Sequence, residues 1–211
     1  MEFRKILSVH IISQIGYLIM GLAIGTKMAF VGVIYFMAHI VLVKSNLFLI
    51  SGIVHRLKGS FELKKLGGIY GKHPFLAILF AISAFSLAGF PPLSGFWAKF
   101  ALVEAGLVVE DYFLVLVALA TGFLTLYSMT KIWNEVFWKK DPEEEEVAKE
   151  GPEIKKVGVV NWQMMMPVVV LTVLGIAVGL GAEPLFRFAE MTAEQLLNPD
   201  VYIIHVLGVG Q

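Results

Sequence analysis

Five apolar segments, each long enough to cross a lipid bilayer, constrain this chain more than any motif it contains. A helix rises about 1.5 Å per residue, so about 20 apolar residues cross a hydrocarbon core of about 30 Å. Segments that meet this requirement lie at about 6–26, 29–54, 74–109, 112–138 and 162–182. With 57% of 211 residues hydrophobic and 16% charged, there is too much apolar surface for one water-soluble core to hide. The expected fold class is an all-α integral membrane bundle of about five transmembrane helices, filling residues 1–182. The first segment reads as a retained helix, because its apolar run is too long for a signal peptide and lacks a small-residue cleavage site.

The third segment is unusual. Its 36 residues exceed one straight crossing, and its middle reads Gly89-Phe90-Pro91-Pro92-Leu93-Ser94-Gly95. Two prolines remove two backbone donors and clash with the preceding turn, so a break into two half-helices is expected there, marked by Gly89, Pro91, Pro92 and Gly95. Unpaired backbone at that depth needs protein or water beside it, which makes the break a pointer to an internal polar cavity.

Alternating the spans puts the N-terminus, the loop 55–73 and the charged loop 139–161 on one side. Twelve of the 17 basic residues fall there, two (Lys27 and Arg187) fall on the other side, and Lys44, Lys99 and Lys131 lie within spans. The positive-inside rule makes the first side cytoplasmic, in a cell membrane, with the C-terminus outside. The run Asp141-Pro142-Glu143-Glu144-Glu145-Glu146 reads as a solvated linker. Residues 183–197 read as an interfacial amphipathic helix, and the remainder of 183–211 as a short tail. The 17 basic and 17 acidic residues balance, which leaves no surplus for a nucleic-acid backbone. Zero cysteines exclude disulfides, thiolate metal sites and iron–sulfur clusters within this chain. No metal-ligand spacing, nucleophile elbow or phosphate loop is present, so neither catalytic chemistry nor a cofactor is expected here. The Met164-Met165-Met166 run is apolar filling.

Ionisable residues inside the spans carry the functional expectation. Lys44 lies about 15 Å from the cytoplasmic end of the second span, and Lys99 a similar depth from the outer end of the third, just after the Pro-Pro break. A charge at that depth costs at least about 2.5 kcal/mol on insertion scales. Burial disfavours the ammonium form and so suits a lysine to taking up and releasing protons. The plainer alternative is a lysine permanently paired with a carboxylate or with backbone carbonyls at the break. His39, five residues before Lys44, titrates near neutrality and suits a relay. A spacing of five leaves the two side chains about 140° apart, so they share a face only if the helix bulges; otherwise they address different neighbours. His10 lies about a turn inside the cytoplasmic end of the first span, with Ser13 and Gln14 on an adjoining face, and reads as a hydrated entrance or simply a solvated histidine. Its depth differs from that of His39 by about 15 Å, which rejects the pair as ligands of one haem. Lys131 and Glu135, spaced i, i+4, read as an interfacial ion pair supporting the path.

Residues 5–17, 39–49, Leu66-Gly67-Gly68, the stretch Ser86-Leu87-Ala88-Gly89-Phe90-Pro91-Pro92-Leu93-Ser94-Gly95-Phe96-Trp97-Ala98-Lys99, and 126–133 resemble a known family. It is that of the antiporter-like membrane subunits shared by Mrp-type sodium/proton antiporters, respiratory complex I and energy-converting membrane-bound hydrogenases, and the likeness is greatest to the D-type subunit of Mrp antiporters. The resemblance covers roughly residues 4–138 and implies the C-terminal part, helices ten to fourteen, of a fourteen-helix fold built on inverted repeats. It implies that Lys99 is the terminal lysine of the broken helix on the outward path, and that His39 and Lys44 belong to the polar axis leading to it. The family's glutamate and lysine of the fifth and seventh helices, and the central residue of the eighth, belong to an N-terminal half without counterpart here. Either another polypeptide completes a split or shortened subunit, which the Met1 start favours, or independent pumping has been lost.

The function these readings point to is translocation of H+, with Na+ exchange or a redox reaction elsewhere in a multisubunit complex as the drive. The expected partners are other membrane subunits, including one supplying the missing half of the fold, together with lipid. The rival expectation is a non-conducting assembly or scaffold subunit, against which the retained buried charges argue.

Overall fold

The structure, a computed structural model, describes residues 1–142, 160–198 and 200–208. In chain order they form α1 (Phe3–Ile24), α2 (Lys27–Lys58), the single turn α3 (Ile69–Lys72), α4 (Pro74–Ala88), α5 (Ser94–Val108), α6 (Tyr112–Trp133), α7 (Trp162–Leu180), α8 (Ala182–Leu197) and α9 (Asp200–Leu207). A π-helical turn, Asn134–Trp138, extends α6. Most of the charged loop, including Glu143 to Glu146, lies outside the described residues.

Local chemistry sets the boundaries. Gly25 adopts φ 68°, which closes α1, and the Thr26 hydroxyl accepts from Ala29 N at 3.2 Å to open α2. Pro74 opens α4, where its missing N–H costs nothing, and Gly89 at φ 95° closes it. Among the described residues, four helices are long and apolar enough to cross a membrane: α1, α2, α6 with its extension, and α7. The half-helices α4 and α5, 15 residues each, sit end to end across the Gly89–Leu93 interruption and make the broken third crossing that the sequence predicts. The chain is thus an all-α, multi-pass membrane bundle.

The central element is α2, which packs against α1, α4, α5, α7 and α8. Toward its C-terminal end, Leu47, Ile50 and Val54 join Phe3, Leu7, Phe80 and Phe137 in one buried cluster. Toward its N-terminal end, Phe36 meets Tyr17, Ala98 and Leu102. The outward sides of α1 and α6 expose Val9, Ile12, Phe113, Leu116 and Phe123, as lipid-facing surfaces do.

Two expectations are corrected. Asp141 is not part of a solvated linker: it is 3% exposed and paired with the Lys58 ammonium and, at 3.3 Å, with that of Lys72. The cause is the Gly67-Gly68 pair. A Cβ on Gly67 would collide with the Lys140 carbonyl, and Gly68 N donates to Lys139 O at 2.6 Å, so the chain after α6 is drawn in against this loop. The second correction concerns α8. Phe186 packs on the Tyr35 ring, Ala189 and Ala193 bury against Val31, and Glu194 pairs with Lys27. These contacts run antiparallel along the first turns of α2, so α8 clasps that helix instead of lying in the interface plane. Beyond it, the expected tail contains the further helix α9.

A buried carboxylate bridging two ammonium groups leaves uncompensated charge when removed. Asp141→Ala is therefore expected to lower the thermal-unfolding midpoint in detergent, by the equivalent of about 3 kcal/mol. Glu62→Gln, which removes only an exposed pair with Lys65, should leave it nearly unchanged. Equal midpoints for the two variants would contradict the structural role of Asp141.

Candidate functional site in the interrupted helix

The last carbonyls of a helix lack intrahelical partners and carry the negative end of its dipole. At the end of α4 an ammonium meets them: Lys99 Nζ donates to Leu87 O and Ala88 O, each at 3.0 Å. Lys99 stands on α5, about one turn and a half from its start, so its side chain reaches back across the interruption. Gly89 makes room, since a Cβ there would lie 3.0 Å from Lys99 Cδ. The same Nζ lies 5.1 Å from the centroid of the Tyr17 ring, whose hydroxyl donates to Ala118 O. Lys99 is 9% exposed, and among the described residues no carboxylate pairs with it or with Lys44. A cavity of about 350 Å³ adjoins it, but its walls are mainly apolar, with Phe90, Phe100 and Phe123 at its exposed side, so it is not the internal polar cavity expected at the break.

His39 and Lys44 point to different neighbours, as their angular separation on an unbulged helix requires. His39 Nδ1 lies 2.9 Å from Ser94 Oγ, which lies 3.1 Å from Ser86 Oγ, so the histidine joins both half-helices through two hydroxyls. Lys44 Nζ donates to Leu7 O on α1 at 3.1 Å. The break is as tight as its glycines imply. A Cβ on Gly95 would collide with Ser86 O and lie 2.8 Å from His39 Cε1. On the other side Trp97 Nε1 donates to Gly179 O at 2.9 Å, which ties α5 to α7.

His10 is not solvated; at 8% exposure it shares the buried face of α1 with Leu7, Gln14 and Tyr17, the face that meets both lysines. The Lys131–Glu135 pair does not form. From Asn134 the helix switches to i→i+5 bonding, with Lys139 N donating to Asn134 O, and Glu135 meets Lys139 at 3.3 Å while Lys131 stays exposed. Pro91 and Pro92 lie in the interruption, joined by a cis peptide bond.

Among the described residues, four buried side-chain atoms have no hydrogen-bond partner: Gln14 Nε2 and Oε1, His39 Nε2 and Asn46 Oδ1. All belong to α1 and α2, in the layer that holds the lysines. Buried polar atoms without protein partners are the places where internal water binds. Sequence reasoning missed Tyr17, Asn46, Ser86 and Ser94. Their signal is weak, a polar atom at mid-span, because a hydroxyl there more often bonds its own helix. Among the described residues, no group of three His, Asp or Glu side chains converges to hold a metal.

Comparison with known proteins adds four findings. The family profile described as NADH:quinone oxidoreductase/Mrp antiporter, TM, matches residues 1–125. The D subunit of the Na(+)/H(+) antiporter of Alkalihalophilus pseudofirmus is 48% identical over 206 residues, 98% of this chain and 40% of that protein. A chain in the structure of the Mrp complex from Dietzia sp. superposes with a TM-score of 0.82 at 29% identity, over 96% of this chain and 44% of that one. A chain of respiratory complex I from Thermus thermophilus, at 24% identity, shares the fold with a TM-score of 0.72 over 92% of this chain and 40% of that one. The chain thus spans about two fifths of the length of the relatives it matches.

Gly95→Ala tests the tightness of the junction. Overpacking of this kind costs about 1–3 kcal/mol, so the variant is expected to melt lower in detergent. Gly16→Ala, whose Cβ meets nothing within 4 Å, should melt at or above the parent. A neutral Gly95→Ala would show that the half-helices do not meet through His39 and Ser86.

Proposed function

Since this chain belongs to the NADH:quinone oxidoreductase/Mrp antiporter transmembrane family, we propose that it carries part of a cation path within a multisubunit membrane complex, moving H+ through Lys44, His39 and Lys99. Lys99 rests on the carbonyls of the break, the arrangement the plainer alternative also names, and the observation that carries the reading is that among the described residues no carboxylate holds it. An intramembrane charge costs roughly 2.5–3.5 kcal/mol on insertion scales, and a charge-assisted hydrogen bond returns about 1.5–3 kcal/mol. Two carbonyl bonds at a helix C-terminus therefore suffice to keep the ammonium buried. A carboxylate partner would pin the charge in place; carbonyl dipoles support it without neutralising it, so the proton can leave when a neighbouring group charges.

The unpartnered atoms of Gln14 and His39 mark where water joins these groups, with Tyr17 and the Gly89–Phe90 turn forming the wall beside Lys99. His10, on the same α1 face as the Lys44 acceptor Leu7, belongs to the entrance side; Lys131 is exposed and Glu135 pairs with Lys139, so neither joins the path. In this reading the Lys58–Asp141–Lys72 end faces the cytoplasm and the Lys27–Glu194 end faces outward. Other membrane subunits complete the path and supply the drive, by Na+ exchange or by a redox reaction on a partner, and the complex resides in the cell membrane.

The test substitutes Lys99 in the assembled complex, reconstituted in vesicles with a pH-sensitive dye. Lys99→Ala is expected to abolish pH-gradient formation while subunit composition is unchanged. Lys99→Arg keeps the charge and the donors but does not release its proton, and should fail equally. Normal transport by either variant rejects the path. A change in complex abundance alone would favour a scaffolding role.

A further inference from the structure

Lys99 has one neighbour whose chemistry the path above leaves unused, the ring of Tyr17. An ammonium has three N–H bonds, and two of those on Lys99 go to Leu87 O and Ala88 O. No hydroxyl, amide or carboxylate among the described residues accepts the third. Nζ stands instead over the face of the Tyr17 ring, 5.1 Å from its centroid. A cation within about 6 Å of a ring centroid is attracted by the negative face of the π system, and more strongly where water is kept away. Both side chains belong to buried residues, with Tyr17 4% exposed.

The ring is fixed at its tip and along its edge. Its hydroxyl donates to Ala118 O on α6, where a Cβ on Gly122 would meet it at 3.7 Å, and its side packs on Phe36 of α2, with centroids 5.3 Å apart. Tyr17 thus joins α1 to α6 and α2 while it presents a face to an amine on α5. Carbonyl oxygens accept from a neutral amine as well as from an ammonium; the ring face attracts the ammonium alone. We propose that Tyr17 is a positioning residue for proton transfer by Lys99, its ring face favouring the ammonium form and so setting how readily the lysine gives up its proton. The proposal rests on the relay role of Lys99. The other ionisable groups at this depth on the elements packed against α5 are His10 on α1 and His39 and Lys44 on α2; α4 and α7 carry none, and α6 meets the site with Ala118 and Gly122. Glu104, on α5 itself, is exposed and about 140° round the helix from Lys99. None of the groups at this depth brings a negative charge to the ammonium, so the ring distinguishes its two forms where no carboxylate does.

The test grades the ring while keeping its size nearly constant. In the assembled complex, Tyr17→Phe gives up the tether to Ala118 O and keeps the face, and serves as the zero point. Mono-, di- and trifluorinated Phe are then placed at position 17 by nonsense suppression, each fluorine drawing charge away from the ring face. With 15N-labelled lysine, the Lys99 Nζ signal is assigned by difference against Lys99→Ala and titrated, and transport is followed with the pH-sensitive dye. The midpoint of the Nζ titration and the pH profile of transport are expected to move stepwise to lower pH with each fluorine, by about one unit in all. Tyr17→Leu, with no ring, should fall at the end of the series. A midpoint unmoved from Tyr17→Phe to the trifluorinated ring overturns the proposal, even if Tyr17→Leu melts lower, because a purely steric role does not respond to fluorine. The Nζ signal needs no transport, so normal pumping by Lys99→Ala together with the graded response would remove the path and leave the ring contact standing.

Discussion

The contact on which the site depends is that between one ammonium and the frayed end of one half-helix. Lys99 is held inside the bundle by the carbonyls of Leu87 and Ala88, groups that exist as free acceptors only because α4 stops there. The interruption and the buried charge thus stabilise each other. Carbonyls with no helical partner need a donor at this depth, and the lysine needs acceptors that are not a full counter-charge. Neither feature alone would be tolerated in hydrocarbon.

Everything else keeps that contact in register. His39 on the central helix bonds Ser94 and thereby reaches Ser86, so a single side chain of α2 touches both halves of the broken span. Lys44 turns the other way, to α1, whose buried face passes on to Tyr17 beside Lys99. The ends of the bundle are clamped by different chemistry. At one end a buried carboxylate, Asp141, gathers Lys58 and Lys72 under the Gly67-Gly68 turn. At the other, α8 lays small residues along α2 and meets Lys27 with Glu194. These clamps leave the middle as the layer where buried polar atoms lack protein partners.

How much of this is legible in the residues follows from the range of each interaction. The apolar spans and the break at Gly89 to Gly95 follow from local rules of length and proline chemistry, and the structure reproduces them. His39 and Lys44 also diverge as a 140° separation requires, because α2 is regular. Long-range partners are not legible. Nothing near Asp141 in sequence indicates that it folds under a glycine pair some seventy residues earlier, so the acidic run reads as a linker. The alanine stripe of α8 is as compatible with an interface as with another helix, and only packing against Val31 decides between them. Lys131 and Glu135 stay apart for a local reason, the π-helical turn, which no residue pattern announces. Ser86 and Ser94 give no signal of their own, because hydroxyls are ordinary within a span until two of them meet a histidine.

The central claim is that Lys99 stands in a hydrated path and is not a static cap. The most direct measurement is a density map of the assembled complex, sharp enough to place water molecules around the interruption. Lys99 should rest on the Leu87 and Ala88 carbonyls with ordered water running from the Lys44 and His39 layer past it toward the outer face. A dry Lys99, or one locked against a partner's carboxylate with no water beyond it, would contradict the claim.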